Sequence, residues 1–334
     1  MSEEKEMKAI ILNGFGGPEV MQLGERPLPE PGQGQVRVRV MATSVNRADT
    51  VQRRGLYPPP PGESEILGLE VAGIVDAVGD GVRQWQTGQR VMGLVAGGGY
   101  AEYALAYAGH LMTIPESISF YEAAAIPEVY ITAFLNIFLI GDFRTGQTVL
   151  LHGGGGGVNT AAIQICRALV PEGRIIVTAS SGKVEAVRRL GVEHVIDYKQ
   201  QDFAAEVKRI TQGSGADVIL DHIGGGYLAK NQASLAVGGR LVVIGLMGGA
   251  AAELNLGVML VKRQRIIGST LRALPVAQKA AITAAFAARV LPPIGRRDFV
   301  PLIHKVFALA EAGAAHQEME ASRHFGKIVL EVNS

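Results

Sequence analysis

Five consecutive glycines, Gly153 to Gly157, follow the apolar run Thr148-Val149-Leu150-Leu151-His152 and precede Val158-Asn159-Thr160-Ala161-Ala162-Ile163. The leading run predicts a short buried strand, and the trailing run opens a helix. A strand that stops at glycines and restarts as a helix is the local form of a phosphate-binding turn. Glycine lets the backbone turn tightly and approach an anion, while the N–H groups of the helix's first turn face it. The best frame for G-x-G-x-x-G is Gly154, Gly156 and then Asn159, so the third glycine is missing. Five glycines give the backbone more freedom than a pyrophosphate requires and cost entropy to order, so a looser loop is expected if the Asn159 side chain faces the helix–strand seam, and an added contact if it faces the cofactor.

What surrounds the run decides its meaning. Short strands are predicted at 148–152, 174–179, 194–198, 217–223, 240–245 and 265–270, with apolar-periodic helices between them, such as Val184 to Leu190 and Phe203 to Ile210. Six such runs separated by helices predict an α/β, doubly wound six-stranded parallel sheet with both faces covered. Before Ser119 the chain reads differently. Strands are predicted over Met7 to Leu12, Gln35 to Val45, Ile66 to Val78, Gln89 to Gly93 and Gly99 to Tyr103, with glycine or proline at the corners and a short helix leading to Arg54. That pattern predicts a small β-barrel-like domain. Ser119-Phe120-Tyr121-Glu122 has capping-box spacing, Pro127 interrupts the helix it starts, and Val129 to Ile140 forms another. Ala277 to Val290 reads as helix, with Pro292-Pro293 closing the sheet domain. Val300 to Ala312 reads as helix and Lys327 to Val332 as a strand returning to the first domain. The expected division is residues 1–128 with 292–334, and 129–291.

Composition narrows the class. Of 334 residues, 48% are hydrophobic and 19% charged, and the net charge of +1 offers no basic stripe for nucleic acid. No run is long and apolar enough to span a bilayer, and Met1 to Glu6 lacks the apolar core of a signal peptide, so a cytoplasmic protein is expected. Cys166, the single cysteine, falls on an apolar helix and reads as a core thiol. One cysteine and seven scattered histidines supply no zinc cluster, so no metal is expected.

The end of the second sheet strand speaks to the cofactor. An acid there would accept from the adenosine 2′-hydroxyl and select NAD. Here the chain runs Val177-Thr178-Ala179-Ser180-Ser181-Gly182-Lys183. Hydroxyls, a lysine and a helix start suit a phosphate dianion, which favours NADPH; a capped helix with a solvated lysine is the plain alternative.

The chain resembles the zinc-independent quinone oxidoreductases (zeta-crystallin-like) of the medium-chain dehydrogenase/reductase superfamily, with the tumour-suppressor-inducible subgroup most similar. The resemblance is carried by Ser44-Val45-Asn46-Arg47-Ala48-Asp49, Gly55-Leu56-Tyr57-Pro58-Pro59-Pro60, Gly99-Tyr100-Ala101-Glu102-Tyr103, Ala125-Ile126-Pro127-Glu128, Gly245-Leu246-Met247-Gly248-Gly249, Gly268-Ser269-Thr270-Leu271-Arg272 and Gly326-Lys327-Ile328-Val329-Leu330. It implies a GroES-like catalytic domain built from both chain ends, a Rossmann domain between, and a homodimer paired through the strand near Arg265 to Thr270. Zinc-dependent relatives carry a cysteine at the position of Asn46 and a histidine at that of Leu69, and both are gone here. By position, Asn46 and Tyr57 are implied to be catalytic and to border the nicotinamide, with Thr132 near its carboxamide. Gly155, Gly156, Gly157, Val158 and Asn159 are implied at the pyrophosphate, Ser180, Ser181, Lys183 and Tyr198 at the 2′-phosphate, and Gly245, Leu246 and Met247 at the nicotinamide ribose. Leu271 and Lys327 complete the implied cofactor contacts. The implied activity is NADPH-dependent reduction of a quinone. Reduction of a 2-enoyl thioester or alkenal is the enzymatic alternative, and an NADPH-binding structural or RNA-binding role the non-enzymatic one.

Overall fold

A computed structural model describes residues 5–333, so the expectation for Met1 to Glu4 lies outside the described residues. By contacts the chain divides into two units, Met1–Ile131 with Leu271–Ser334, and Thr132–Thr270.

In the second unit, six parallel strands lie in the order His194–Asp197, Arg174–Ala179, Thr148–His152, Ala216–Asp221, Leu235–Val243, Arg265–Gly268. All six expected strands form, within a few residues of their expected bounds. The first strand sits at the centre and the order reverses beside it, which is the switch point where doubly wound sheets bind ligands. Thr148–His152 is buried throughout. Leu150, Ile176, Ile196 and Ile219 pack with Phe203 and Val207 of the helix Phe203–Ile210. Each such side chain contributes about 1.5–3 kcal/mol by leaving water, so the continuous apolar runs place this sheet inside.

In the first unit, the long strand Gln35–Val45 is the hub. Its C-terminal part pairs antiparallel with Lys327–Glu331 (Ile328 opposite Val45), and its body pairs with Glu70–Val78 and Tyr103–Tyr107. Glu70–Val78 continues to Arg90–Leu94 and Leu111–Thr113, while Glu6–Leu12 and Met21–Pro27 form a separate hairpin. The chain's last strand thus returns to the first unit, as expected.

Several local expectations need correction. Residues 66–69 precede the strand instead of forming it, and the strand expected at Gly99 to Tyr103 runs from Tyr103 to Tyr107. Val300 to Ala312 is not a helix: Ile303–Ala308 is a strand, parallel to Lys327–Glu331, and the helix begins at Ala312. A backbone-pairing partner distant in sequence overrode a helical pattern. The helix Val276–Gly295 runs through Pro292 and Pro293 before it ends. It belongs with the first unit, so the chain recrosses at 270/271 where 291/292 was expected. Its start is held there, where Val276 O bonds His110 Nε2 at 3.0 Å.

Candidate functional site

In the second unit the expected cofactor residues fall at the C-terminal ends of neighbouring strands. His152 ends the central strand and stands opposite Thr178, Asp197 stands opposite Ala179, and Asp221 opposite Val243. The glycine run, Ser180 to Lys183, Tyr198 and Gly245 to Met247 each follow one of these ends. Tyr198 N donates to Ala179 O at 3.2 Å, which brings the tyrosine beside the Ser180 turn. Met247 N donates to His222 O at 3.1 Å, and Leu246 and Met247 are largely exposed. Thr132 is the unit's first residue, and its carbonyl accepts from Asn136 Nδ2 at 2.8 Å.

The glycine loop is held, contrary to the looseness expected of five glycines. Gly153 N and Gly154 N both donate to Thr178 O, at 3.0 and 2.8 Å. Gly153 adopts φ +77°, and a Cβ on Gly154 would stand 2.4 Å from Val177 Cγ1 and 2.9 Å from Val187 Cγ2. Those two glycines are obligatory. Asn159 is buried and its Nδ2 donates to the carbonyls of His152 and Gly153. Its side chain therefore faces the helix–strand seam, and its Oδ1 is buried without a protein partner. Gly156 caps the helix Gly157–Leu169, and the N–H groups of Gly157, Val158 and Asn159 have no acceptor within it. This cradle fits a pyrophosphate, and Gly155 is buried in the turn that leads into it.

His152 has a packing role. Its Nε2 donates to Asn231 Oδ1 at 2.7 Å, its Nδ1 accepts from Thr178 Oγ1 at 3.2 Å, and its ring stands edge-on to Phe203 and Tyr227. Burial pushes its pKa down to about 3, so the ring stays neutral. Cys166 is buried, which raises its thiol pKa far above the usual range.

The first unit holds a buried ionic cluster around Asn46. Glu70, fully buried, accepts at Oε1 from Ser44 Oγ, from Asn46 Nδ2 at 2.8 Å and from Lys327 Nζ at 2.9 Å, and at Oε2 from Glu128 N at 2.8 Å. Lys327 Nζ also donates to Asn46 Oδ1 at 2.7 Å and Val45 O at 3.2 Å. All three ammonium donors are thus directed within the cluster, which makes Lys327 a positioning residue for Asn46. The arrangement also assigns the Asn46 amide. A lysine can only donate and a carboxylate only accept, so Oδ1 faces Lys327 and Nδ2 faces Glu70. One Nδ2 hydrogen is engaged by Glu70, and the other has only Ser44 O at 3.5 Å.

Asp49 fixes the backbone beneath. It accepts from Asn46 N at 2.7 Å, Gly68 N at 3.2 Å and Tyr100 OH at 3.3 Å. Tyr100 OH meets His316 Nε2 at 3.0 Å, His316 Nδ1 meets Arg53 Nη1 at 3.0 Å, and Arg53 pairs with Glu320. Because arginine only donates, the chain runs Arg53 to His316 to Tyr100 to Asp49. Burial raises the Asp49 pKa to about 6 against the pull of those N–H donors and of Lys327.

Tyr57 is held by Arg272. Arg272 Nη1 donates to Tyr57 O at 3.3 Å, its Nε donates to Ala96 O at 2.8 Å, and its guanidinium carbon lies 5.3 Å from the Tyr57 ring centroid. Burial first, then the Glu128 carboxyl, raise the Tyr57 phenol above its usual range, with Arg272 opposing them. Leu271 is buried beside Arg272 and Glu128 on one small cavity. Reading the sequence alone missed the working parts of Glu70, Glu128, Arg272, Lys279, Tyr100 and His316. Apart from Arg272 O, seven residues before Lys279, their partners lie 24 to 263 residues away, and only Pro127-Glu128, a proline–acid helix start, carried a local signal.

The family model "Alcohol dehydrogenase GroES-like domain" matches residues 32–116 and "Zinc-binding dehydrogenase" matches residues 190–330. A quinone oxidoreductase of Rattus norvegicus is 33% identical over 98% of both chains. The chain belongs to the medium-chain dehydrogenase/reductase superfamily.

Members of this superfamily are oxidoreductases, and the GroES-like and Rossmann halves are both present here. The synaptic vesicle membrane protein VAT-1 homolog of Rattus norvegicus is 39% identical over 72% of this chain, which spans 59% of that relative. A mycobacterial protein solved in complex with NADPH superposes with a TM-score of 0.87 at 29% identity, covering 98% of this chain and 100% of that one. The zinc in the family model's description does not fit this chain. The Lys327 ammonium already lies against Asn46 and Glu70 and would repel a dication, and no group of three His, Cys, Asp or Glu among the described residues could hold a metal ion. No helix of the described residues is long and apolar enough to cross a membrane.

Proposed function

We propose that the protein catalyses NADPH-dependent reduction of a conjugated carbonyl acceptor, a quinone first, without a metal. The observation that carries this reading is the assigned amide of Asn46. Lys327 and Glu70 hold its oxygen and one N–H, which leaves the second N–H as a donor for an acceptor's oxygen. When bound, the dihydronicotinamide supplies the hydride. A conjugated acceptor spreads the incoming charge itself, so hydrogen-bond donors suffice where a simple alcohol would need a Lewis acid. Asn46 and Tyr57 orient and polarise the acceptor, and Arg272 sets the Tyr57 loop.

The pyrophosphate lies on the Gly155–Asn159 turn. Ser180, Ser181, Lys183 and Tyr198 take the 2′-phosphate, and the nicotinamide ribose lies on Gly245 to Met247. Two features of the unit support this reading: no acid ends Arg174–Ala179, and a lysine stands in the turn that follows. The exposed Leu256, Leu260 and Val261, near the sheet-edge strand Arg265–Gly268, support a homodimer formed through that edge.

The test is NADPH consumption with a quinone panel, an enoyl thioester and an alkenal, with NADH as control. Quinone turnover that falls at least tenfold in both Asn46→Ala and Tyr57→Phe is expected. Turnover of the thioester alone would replace the quinone by an enoyl acceptor. Tight NADPH binding with no turnover of any acceptor would overturn the enzymatic reading.

A further inference from the structure

Glu128 stands at the start of the helix Pro127–Phe134, and its backbone N–H is committed to Glu70 Oε2. Its carboxyl is not so committed. Glu128 borders a cavity of about 10 Å³ whose other polar walls are Arg272 and Lys279, with Leu69, Leu94, Val95 and Leu271 lining the rest. Arg272 is 6% exposed, and its Nη2 is buried without a protein partner. Lys279 is equally buried and spends one donor on Arg272 O at 3.0 Å. Among the described residues neither cation closes to an ion pair with Glu128. A space of this size, with donors from Arg272 and Lys279 and an acceptor from Glu128 on its walls, has room for one water.

We propose that Glu128, bridged by one buried water to Arg272 and Lys279, is the proton donor that completes reduction of the acceptor. This rests on the reductive reading above. Converting a quinone to its hydroquinone, or an enone to its saturated ketone, takes one hydride and one proton. The hydride forms a C–H bond at the acceptor carbon conjugated to the carbonyl, the C=C π pair shifts toward the carbonyl carbon, and the C=O π electrons move onto oxygen. The Glu128 O–H bond then breaks, its proton passes to that oxygen, and Glu128 is left as carboxylate; the enol so formed tautomerises to the hydroquinone or to the saturated ketone. The bridging water returns a proton from solvent, while Arg272 and Lys279 hold the transient negative charge.

The charges around the carboxyl favour this duty. Burial, then Glu70 and Asp49, raise its pKa, Lys327 and Arg272 oppose them, and the balance lies at about 8. Lys279 adds a further positive charge on the cavity wall, and the nearby Tyr57 stays a neutral phenol in this range. The acid is therefore still protonated near neutrality, where an ordinary carboxyl would have none to give.

Two measurements test the assignment. The first is the pH profile of kcat/KM for the best acceptor in wild type, Glu128→Gln and Glu128→Asp, with NADPH affinity followed by fluorescence. Wild type should lose activity above about pH 8. Glu128→Gln should fall about 100-fold with the alkaline limb gone, NADPH affinity should stay within twofold, and Glu128→Asp should recover part of the rate. A Glu128→Gln enzyme that keeps its rate and its alkaline limb would overturn the proposal.

The second measurement needs no turnover. Isotope-edited infrared spectroscopy should show a carboxylic C=O band that titrates near pH 8 in wild type, is missing in Glu128→Gln and titrates higher in Arg272→Met. Titration in the ordinary carboxylate range would overturn the acid even if no acceptor is turned over. A titration near pH 8 with no turnover would instead remove the reductive reading.

Discussion

The side-chain amide of Asn159 donates to the main-chain carbonyl of His152, seven residues earlier, and ties the first turn of a helix to the last residue of the strand before it. It also reaches Gly153 O at 3.2 Å. A glycine at this position would allow close helix–strand approach by leaving a gap. Asparagine fills the seam and supplies two hydrogen bonds. The five-glycine loop is ordered by this clamp, by Thr178 and by the Val177 and Val187 side chains that crowd Gly154.

Asn159→Ala should therefore destabilise the fold by about 1–3 kcal/mol, since two buried carbonyls lose their side-chain donor. Asn159→Gly should cost at least as much, despite restoring the glycine fingerprint, because the added backbone freedom favours the unfolded chain. Urea denaturation checks both. A glycine variant more stable than wild type would show that the clamp contributes nothing.

Lys327→Met should be more damaging, by about 3–5 kcal/mol, because it leaves the Glu70 carboxylate buried without its cation. It also frees the Asn46 amide to turn over. The double variant Lys327→Met/Glu70→Leu should recover stability but not activity, and a double-mutant cycle of denaturation and turnover separates the two effects.

Acid should switch the site off through Asp49. Its pKa of about 6 lies above the unfolded value of 3.8, so between these limits the folded protein binds the extra proton and this group's contribution to stability falls as pH rises. The activity carries the opposite dependence. Below pH 6 the carboxyl becomes protonated, accepts less well from Asn46 N and Gly68 N, and loosens the Asn46 turn. Activity is expected to fall below about pH 6, and Asp49→Asn should lower the plateau and remove that limb. An unchanged acid limb in the variant would assign it elsewhere.

Cofactor choice should respond to the turn after the second sheet strand. Lys183→Ala is expected to raise the NADPH Kd about tenfold or more, with NADH changed less than twofold, and Ser181→Ala should act the same way more weakly. Equal losses for both cofactors would mean that the turn acts on the fold and not on the 2′-phosphate.

Much of the architecture was legible from residue order. Continuous β-branched runs such as Thr148–His152 and Arg174–Ala179 can be buried on both faces only in a covered parallel sheet, and Ser119 with Glu122 fixes a helix start by local hydrogen bonding. Periodicity and capping act over a few residues, so sequence alone decides them. Ile303–Ala308 is the exception that shows the limit, since its pairing with Lys327–Glu331 is not a local property. The candidate site depended almost wholly on tertiary structure. Asn46 and Tyr57 could be named from motifs, but the amide's orientation required Lys327, 281 residues away, and the Tyr57 loop required Arg272, 215 residues away. The charges of Asp49, Glu70 and Glu128 acquire their behaviour only when folding removes water and brings the lysine and arginine beside them. Burial and charge proximity are properties of the folded chain, and they set what these side chains can do.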